Sequence, residues 1–180
     1  LGAEGTLGII TKAVLKLWPA PKDLCTAWLA IRDPRAAIEL LSEAHAASDD
    51  NVGSCELMSR ACTDMVLRHI PATQDPLKAD TEWYLLLEWS SARPRQDGGA
   101  GMSDRMEQFL ADQLEAGRVL DAVIAHTEAQ SRNMWRIRES VAEASRAEGP
   151  GISYDVSVAI SRIPEFIGKG LKAALDILPT

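Results

Sequence analysis

Hydrophobic residues alternate with polar residues in some segments of the chain and recur at helical spacing in others. These two periods distinguish strands from helices. Strands are predicted at about 7–17, 25–32, 52–58, 83–89, 119–126 and 152–158, and helices at about 35–47, 59–69, 102–116, 128–147 and 162–178. The run WYLLLEW at 83–89 is almost continuously apolar, which predicts a central strand buried on both faces.

The order of these elements predicts the fold class. From residue 25 to 126 the order is strand, helix, strand, an excursion, and then strand, helix, strand. Two such units most simply form one antiparallel sheet with helices on one face. We therefore expect an α+β fold with a ferredoxin-like antiparallel sheet, preceded by a separate N-terminal strand at 7–17.

The predicted helix 128–147 carries one charged residue on its apolar side. With 100° per residue, Arg138 lies about 40° from Met134, and we interpret it as part of an apolar arc of about 100°. The other members of that arc are Ile137, Val141, Ala144 and Ser145. An inward guanidinium can snorkel to the solvent or pair with an internal acidic residue. Alternatively, its planar fork of N–H donors is available to a carboxylate or phosphate ligand. Periodicity alone does not choose between these interpretations.

The predicted strand 152–158 has one polar face. Ser153, Asp155 and Ser157 alternate with apolar residues. Such a face either lines a ligand site or is a solvated sheet edge.

Charge excludes some classes of partner. The 180 residues have a formal net charge of −7, and their acidic and basic residues are interspersed. Nucleic-acid binding needs clustered Lys and Arg, so we expect no nucleic-acid partner. No apolar stretch approaches the roughly 20 residues that span a bilayer.

The cysteines and histidines show no pattern of a metal site or a disulfide framework. The three cysteines lack CxxC spacing, and the three histidines lack ligand spacing. Reduced thiols are expected, which favours a cytoplasmic location.

Three motifs resemble the FAD-linked oxidase family of the vanillyl-alcohol-oxidase type, in the branch of D-2-hydroxyglutarate and D-lactate dehydrogenases. They are GAEGTLGIIT at 2–11, ELM at 56–58, and WRIRE at 135–139 followed by YDVSVAISRIP at 154–164. The last is similar to the family's W-x-x-R-E and K-x-D-[IV]-S-V-P-[IV]-S stretches. The order and spacing match along essentially the whole chain.

The resemblance implies two domains and a cofactor. Residues 1–20 would be the trailing end of an FAD-binding domain, and 21–180 a substrate-side cap domain truncated at its end. The chain would then be a piece of a longer protein. Small residues let backbone approach the cofactor. The residues implied to contact FAD are Gly2, Glu4, Gly5, Thr6, Gly8 and Ile10.

The resemblance also implies the reaction. The intact protein would oxidise a D-2-hydroxy acid to the 2-oxo acid with FAD, and pass electrons to an acceptor such as an electron-transfer protein or quinone. Arg138 would bind the substrate carboxylate, with Ala142, Ser153 and Asp155 nearby. Family members acting on 2-hydroxyglutarate have a hydroxylated residue at the position of Ala142 and a Lys at that of Ser153. The family's Pro after S-V is Ala159 here. A second substrate carboxylate would therefore lose a cationic partner.

Other parts of the family's machinery are expected outside this chain. The pyrophosphate loop, the base for the hydroxyl proton and the ligands of any divalent metal have no counterpart in the motifs above. We therefore expect no catalytic or metal-ligating residue here, and an inactive, flavin-free fragment. The alternatives are a non-enzymatic ferredoxin-like module that dimerises or binds a small effector, and an alkylglycerone-phosphate-synthase-like or glycolate-oxidase-like enzyme.

Overall fold

The computed structural model of the chain describes residues 5–94, 100–151 and 155–177. Its centre is a four-stranded sheet in the order β2-β3-β1-β4, and every neighbouring pair is antiparallel. This order confirms the predicted ferredoxin-like sheet. The strands are β1 (Asp23–Ile31), β2 (Val52–Ser59), β3 (Trp83–Ser91) and β4 (Val119–Ile124).

The helices begin where the sequence provides caps. Asp33 accepts a hydrogen bond from the backbone N–H of Ala36 at 2.9 Å, and Pro34 occupies the first turn of the first helix. The helices are α1 (Pro34–Ala47), α2 (Arg60–His69), α3 (Met102–Glu115), α4 (Glu128–Glu139), α5 (Val141–Glu148) and α6 (Ile163–Ile177), the last after a 3₁₀ turn (Ile160–Arg162).

The sheet has a hydrophobic core on each face. Strand alternation places Leu29 and Leu87 on the first face, under α1 and α3. Trp28 and Leu86 lie on the second face, under α2, α4 and α5. The sequence predicts helices on one face only. α1 and α3 cover the first face in this way, but α2, α4 and α5 form a second helical layer on the other face, so the prediction is incomplete. β3 is central and buried on both faces, as predicted.

The segment predicted as one long helix is two helices. Ser140 (φ −87°, ψ 0°) ends α4 by donating its N–H to the Arg136 carbonyl at 3.0 Å, and its own carbonyl accepts from Ala144 at 2.9 Å. A single helical projection therefore fails beyond Ser140. Ala144 is buried as predicted, but Ser145 is exposed, because α5 is turned to pack on α2.

The predicted N-terminal strand is absent from the described part of the chain. Residues 8–21 have no regular secondary structure and are exposed, with apolar side chains such as Ile9, Val14 and Leu17 in solvent. A strand is stabilised by hydrogen bonds to a neighbouring strand, and no described strand pairs with this segment. The division at residue 20 remains a prediction.

The predicted strand 152–158 lies partly outside the described residues, which omit 152–154. Residues 155–159 have no regular structure. No helix among the described residues is long and apolar enough to cross a membrane.

The thiols are free, and two of them are strongly desolvated. Burial is the main cause that raises the pKa of Cys25 and of Cys55 to about 11. At pH 8 only about 0.1% of each would be thiolate, the reactive form.

Both thiols are therefore expected to resist iodoacetamide at pH 8 in the native protein and to react after denaturation. Peptide mass spectrometry of alkylated samples, with and without urea, measures this. Fast native labelling of either cysteine would contradict the burial described above.

Candidate functional site

One end of the second sheet face is left uncovered by the helices. Leu24 on β1 is 48% exposed and lies opposite Ser90 of β3, which is half-buried. Ser54 of β2 lies on the same face beside Glu88. We call Leu24, Ser54 and Ser90 the open end of the second face.

A polar cluster lies where α4 crosses the sheet next to this open end. Glu88 Oε2 accepts hydrogen bonds from Trp135 Nε1 at 2.6 Å and from Thr26 Oγ1 at 2.9 Å. Thr26 Oγ1 is also 2.9 Å from Ser131 Oγ. Thr26 is 1% exposed, whereas Glu88, Ser131 and Trp135 are half-buried, so this cluster joins α4 to β1 and β3 at the margin of the core. It fixes the position of the helix above the sheet.

Arg138 lies in the last turn of α4, one turn after Trp135. Its Nε donates to Oε2 of Glu56 on β2 at 3.0 Å. The Arg138 side chain is 45% exposed, and that of Glu56 31%. The inward placement inferred from helical periodicity is therefore wrong: the side chain lies at the margin of the covered face, because Met134 and Ile137 alone form the buried side of the turn.

The pairing with Glu56 occupies only one edge of the guanidinium. No described residue is hydrogen-bonded to either Nη of Arg138. The two Nη groups form the planar end of the fork, which can bind a carboxylate through two parallel hydrogen bonds. The arrangement is thus capable of binding an acid while it keeps its internal partner.

The other residues predicted on the substrate side are less closely joined. Ala142 is exposed in the first turn of α5, and Asp155 is exposed in an irregular segment. No hydrogen bond or ion pair links Asp155 to Arg138, both of which are described. Ser153 lies outside the described residues.

The residues predicted to contact FAD lie in the exposed N-terminal segment. Gly2 and Glu4 are outside the described residues. Gly5 (φ +76°) and Gly8 (φ +154°) have conformations that side chains rarely adopt, and an added Cβ at either would meet no atom within 4 Å. The remaining two, Thr6 and Ile10, are exposed.

The polar cluster was missed in the sequence. Its only signal is that Glu88 is the single charged residue in WYLLLEW, a run predicted to be buried on both faces. A carboxylate in such a strand needs donors, and Trp135 and Thr26 supply them. Within the described ranges, no three His, Cys, Asp or Glu residues are grouped closely enough to hold a metal ion.

Comparison with known proteins places the chain in a family. Residues 20–176 match the family described as FAD linked oxidases, C-terminal domain. The chain belongs to this family. FAD-linked oxidase membership confirms the resemblance inferred from the three sequence motifs.

Relatives within the FAD-linked oxidases include two named D-2-hydroxyglutarate dehydrogenase. The mitochondrial protein of Arabidopsis thaliana is 31% identical, over 91% of this chain and 28% of its own length. That of Stutzerimonas stutzeri is 31% identical, over 93% of this chain and 34% of its own length. A putative mitochondrial D-lactate dehydrogenase of Schizosaccharomyces pombe is 25% identical, over 98% and 32%. The chain thus spans about a third of the length of these relatives or less.

Proposed function

We propose that this chain is the substrate-side domain of an FAD-dependent dehydrogenase that oxidises a D-2-hydroxy acid to the 2-oxo acid. The supporting observation is the family match over 20–176 together with relatives named for D-2-hydroxyglutarate and D-lactate. An electron-transfer protein or a quinone is the proposed electron acceptor. The base and the ligands of any divalent metal belong to other parts of the protein in this proposal, and the cytoplasmic location remains a prediction.

Arg138 is the proposed binding residue for the substrate carboxylate. Its Nε is held by Glu56, and its two Nη groups carry no hydrogen bond to a described residue. Its partner Glu56 lies two residues from Ser54 of the open end, on the same face of β2. A bidentate carboxylate contact there would fix one end of a 2-hydroxy acid, and hence the position of its hydroxyl-bearing carbon.

The segment containing Gly5 and Gly8 fits the approach of a large cofactor, since neither glycine has an atom near an added Cβ. When bound, FAD supplies the acceptor for the substrate's hydride. The residues of this chain bind the acid, orient it and, through α4 and the sheet, form one wall of the site.

The substrate is proposed to be a monocarboxylic 2-hydroxy acid of the lactate type. Ala142 presents only a methyl group, and Ser153 carries no positive charge. Neither side chain can form an ion pair with the second carboxylate of hydroxyglutarate, and a desolvated carboxylate without such a partner binds poorly.

The test is substrate reduction of the flavin in the intact protein. D-lactate, D-2-hydroxyglutarate and their L-enantiomers are added anaerobically, and the visible absorbance of oxidised flavin is followed. Rapid loss of absorbance with D-lactate, slower loss with D-2-hydroxyglutarate and none with the L-acids is expected. Absence of bound flavin, or no reduction by any D-2-hydroxy acid, would refute the proposal and favour a non-enzymatic module.

A further inference from the structure

We propose that Glu56 is a positioning residue that orients the Arg138 guanidinium for the substrate carboxylate; this inference rests on the proposed function. Its carboxylate holds Nε of Arg138 at 3.0 Å. The bond uses one edge of the guanidinium and leaves the two Nη groups for the acid.

Glu56 is well placed to orient a side chain because it is fixed itself. It lies within β2, in register with Leu86 of the central strand, and it directs its side chain to the second face. The residue two positions further on that face, Met58, is 7% exposed and belongs to the core. The carboxylate therefore projects from a rigid strand onto a helix distant in sequence.

The pair is not needed to hold α4 in place. That helix is already anchored by the bonds of Trp135 and Ser131 and by the buried Met134 and Ile137. Exposed ion pairs contribute little to stability. The effect of Glu56 should therefore fall on the orientation of one long side chain, whose loss of rotamer freedom would otherwise oppose substrate binding.

Glu56 also has an opposing electrostatic effect, because its negative charge lies close to the site of an incoming carboxylate. Two substitutions separate orientation from charge. Glu56→Gln retains an oxygen acceptor for Nε and removes the charge, whereas Glu56→Ala removes both. Positioning predicts opposite results for the two variants, since only Ala frees the guanidinium.

The experiment measures kcat and KM of the intact enzyme with its D-2-hydroxy acid. Glu56→Ala is expected to raise KM about fivefold to tenfold, the cost of immobilising one long side chain, with kcat within about twofold. Glu56→Gln should leave KM unchanged or lower it. In an Arg138→Lys background, Glu56→Ala should add less than about twofold, because Lys has no fork to orient. Glu143→Ala, at an exposed acidic residue of α5, is the matched control and should leave KM unchanged.

Each outcome decides one of the two hypotheses. Unchanged KM in Glu56→Ala, or an equal rise in Glu56→Gln, overturns the positioning role while leaving the proposed function intact. If Arg138→Lys itself leaves KM unchanged, the proposed carboxylate site fails first. Should Glu56→Ala not yield folded protein, as judged by native protection of Cys55, Glu56→Val replaces it, since Val suits a strand.

Discussion

Substitution of Arg138 by Lys in the intact enzyme is expected to lower kcat/KM for its 2-hydroxy acid about 100-fold. Lys keeps the positive charge but loses the planar pair of donors that binds both carboxylate oxygens. Loss of one hydrogen bond to a charged group costs roughly 1.5–3 kcal/mol, and about 2.7 kcal/mol corresponds to 100-fold. Steady-state kinetics with an artificial electron acceptor measure the change.

The matched control is Arg136→Lys, because Arg136 is exposed on the same helix and its side chain forms no hydrogen bond or ion pair with a residue that the structure describes. This variant should retain activity within about twofold, as surface substitutions usually do. An equal loss in both variants would indicate damage to α4 rather than loss of a specific contact. Full activity of Arg138→Lys would place the carboxylate elsewhere.

The helical pattern predicted which residues of α4 are buried but not where Arg138 points. Met134 and Ile137 are buried as the projection predicts. At 100° per residue the apolar arc ends about 20° short of Arg138, and beyond Ser140, whose N–H bonds back to Arg136, the projection no longer applies. How deeply the Arg138 side chain is buried depends on the rotation of α4 about its own axis. The residues that set this rotation lie on β1, β2 and β3.

The ferredoxin-like sheet could be predicted because the local sequence of its strands and helices shows the hydrophobic period typical of each. The second helical layer could not, since α2, α4 and α5 would have similar apolar sides whichever face they covered. The segment 7–17 alternates like a strand, yet it has no strand partner among the described residues. Alternation of apolar and polar residues identifies a segment that is suited to a sheet. The segment becomes a strand only where another strand is present to pair with it.

The candidate site was predictable only in part for the same physical reason. The family motifs contain Arg138 and Glu56, but their pairing joins residues 82 positions apart. The bonds among Thr26, Glu88 and Trp135 likewise depend on the register of two strands and the placement of a helix. Such contacts have no period in the sequence.

Glu88→Ala is expected to destabilise this domain by roughly 2 kcal/mol. The substitution leaves Trp135 Nε1, now bonded to Glu88 at 2.6 Å, without its acceptor, and it removes the acceptor of the buried Thr26 hydroxyl. Thr26 retains Ser131 as a neighbour at 2.9 Å, which limits the loss. Since each 1.36 kcal/mol is tenfold, Cys25 should become alkylated about 30-fold faster through transient opening of the domain.

Alkylation of Cys25 is a suitable reporter because this buried thiol belongs to β1, opposite Trp89 of β3, and becomes reactive when the sheet opens. The rate is measured at low urea concentration by peptide mass spectrometry. In Glu88→Gln the alkylation rate of Cys25 should stay within about tenfold of the parent rate. The amide oxygen can still accept from Trp135, and no charge remains half-buried without a cation. Glu82→Ala, at an exposed residue directly before β3, should not change the rate. A parental rate in Glu88→Ala would mean that the buried apolar contacts of α4 hold the helix without this carboxylate.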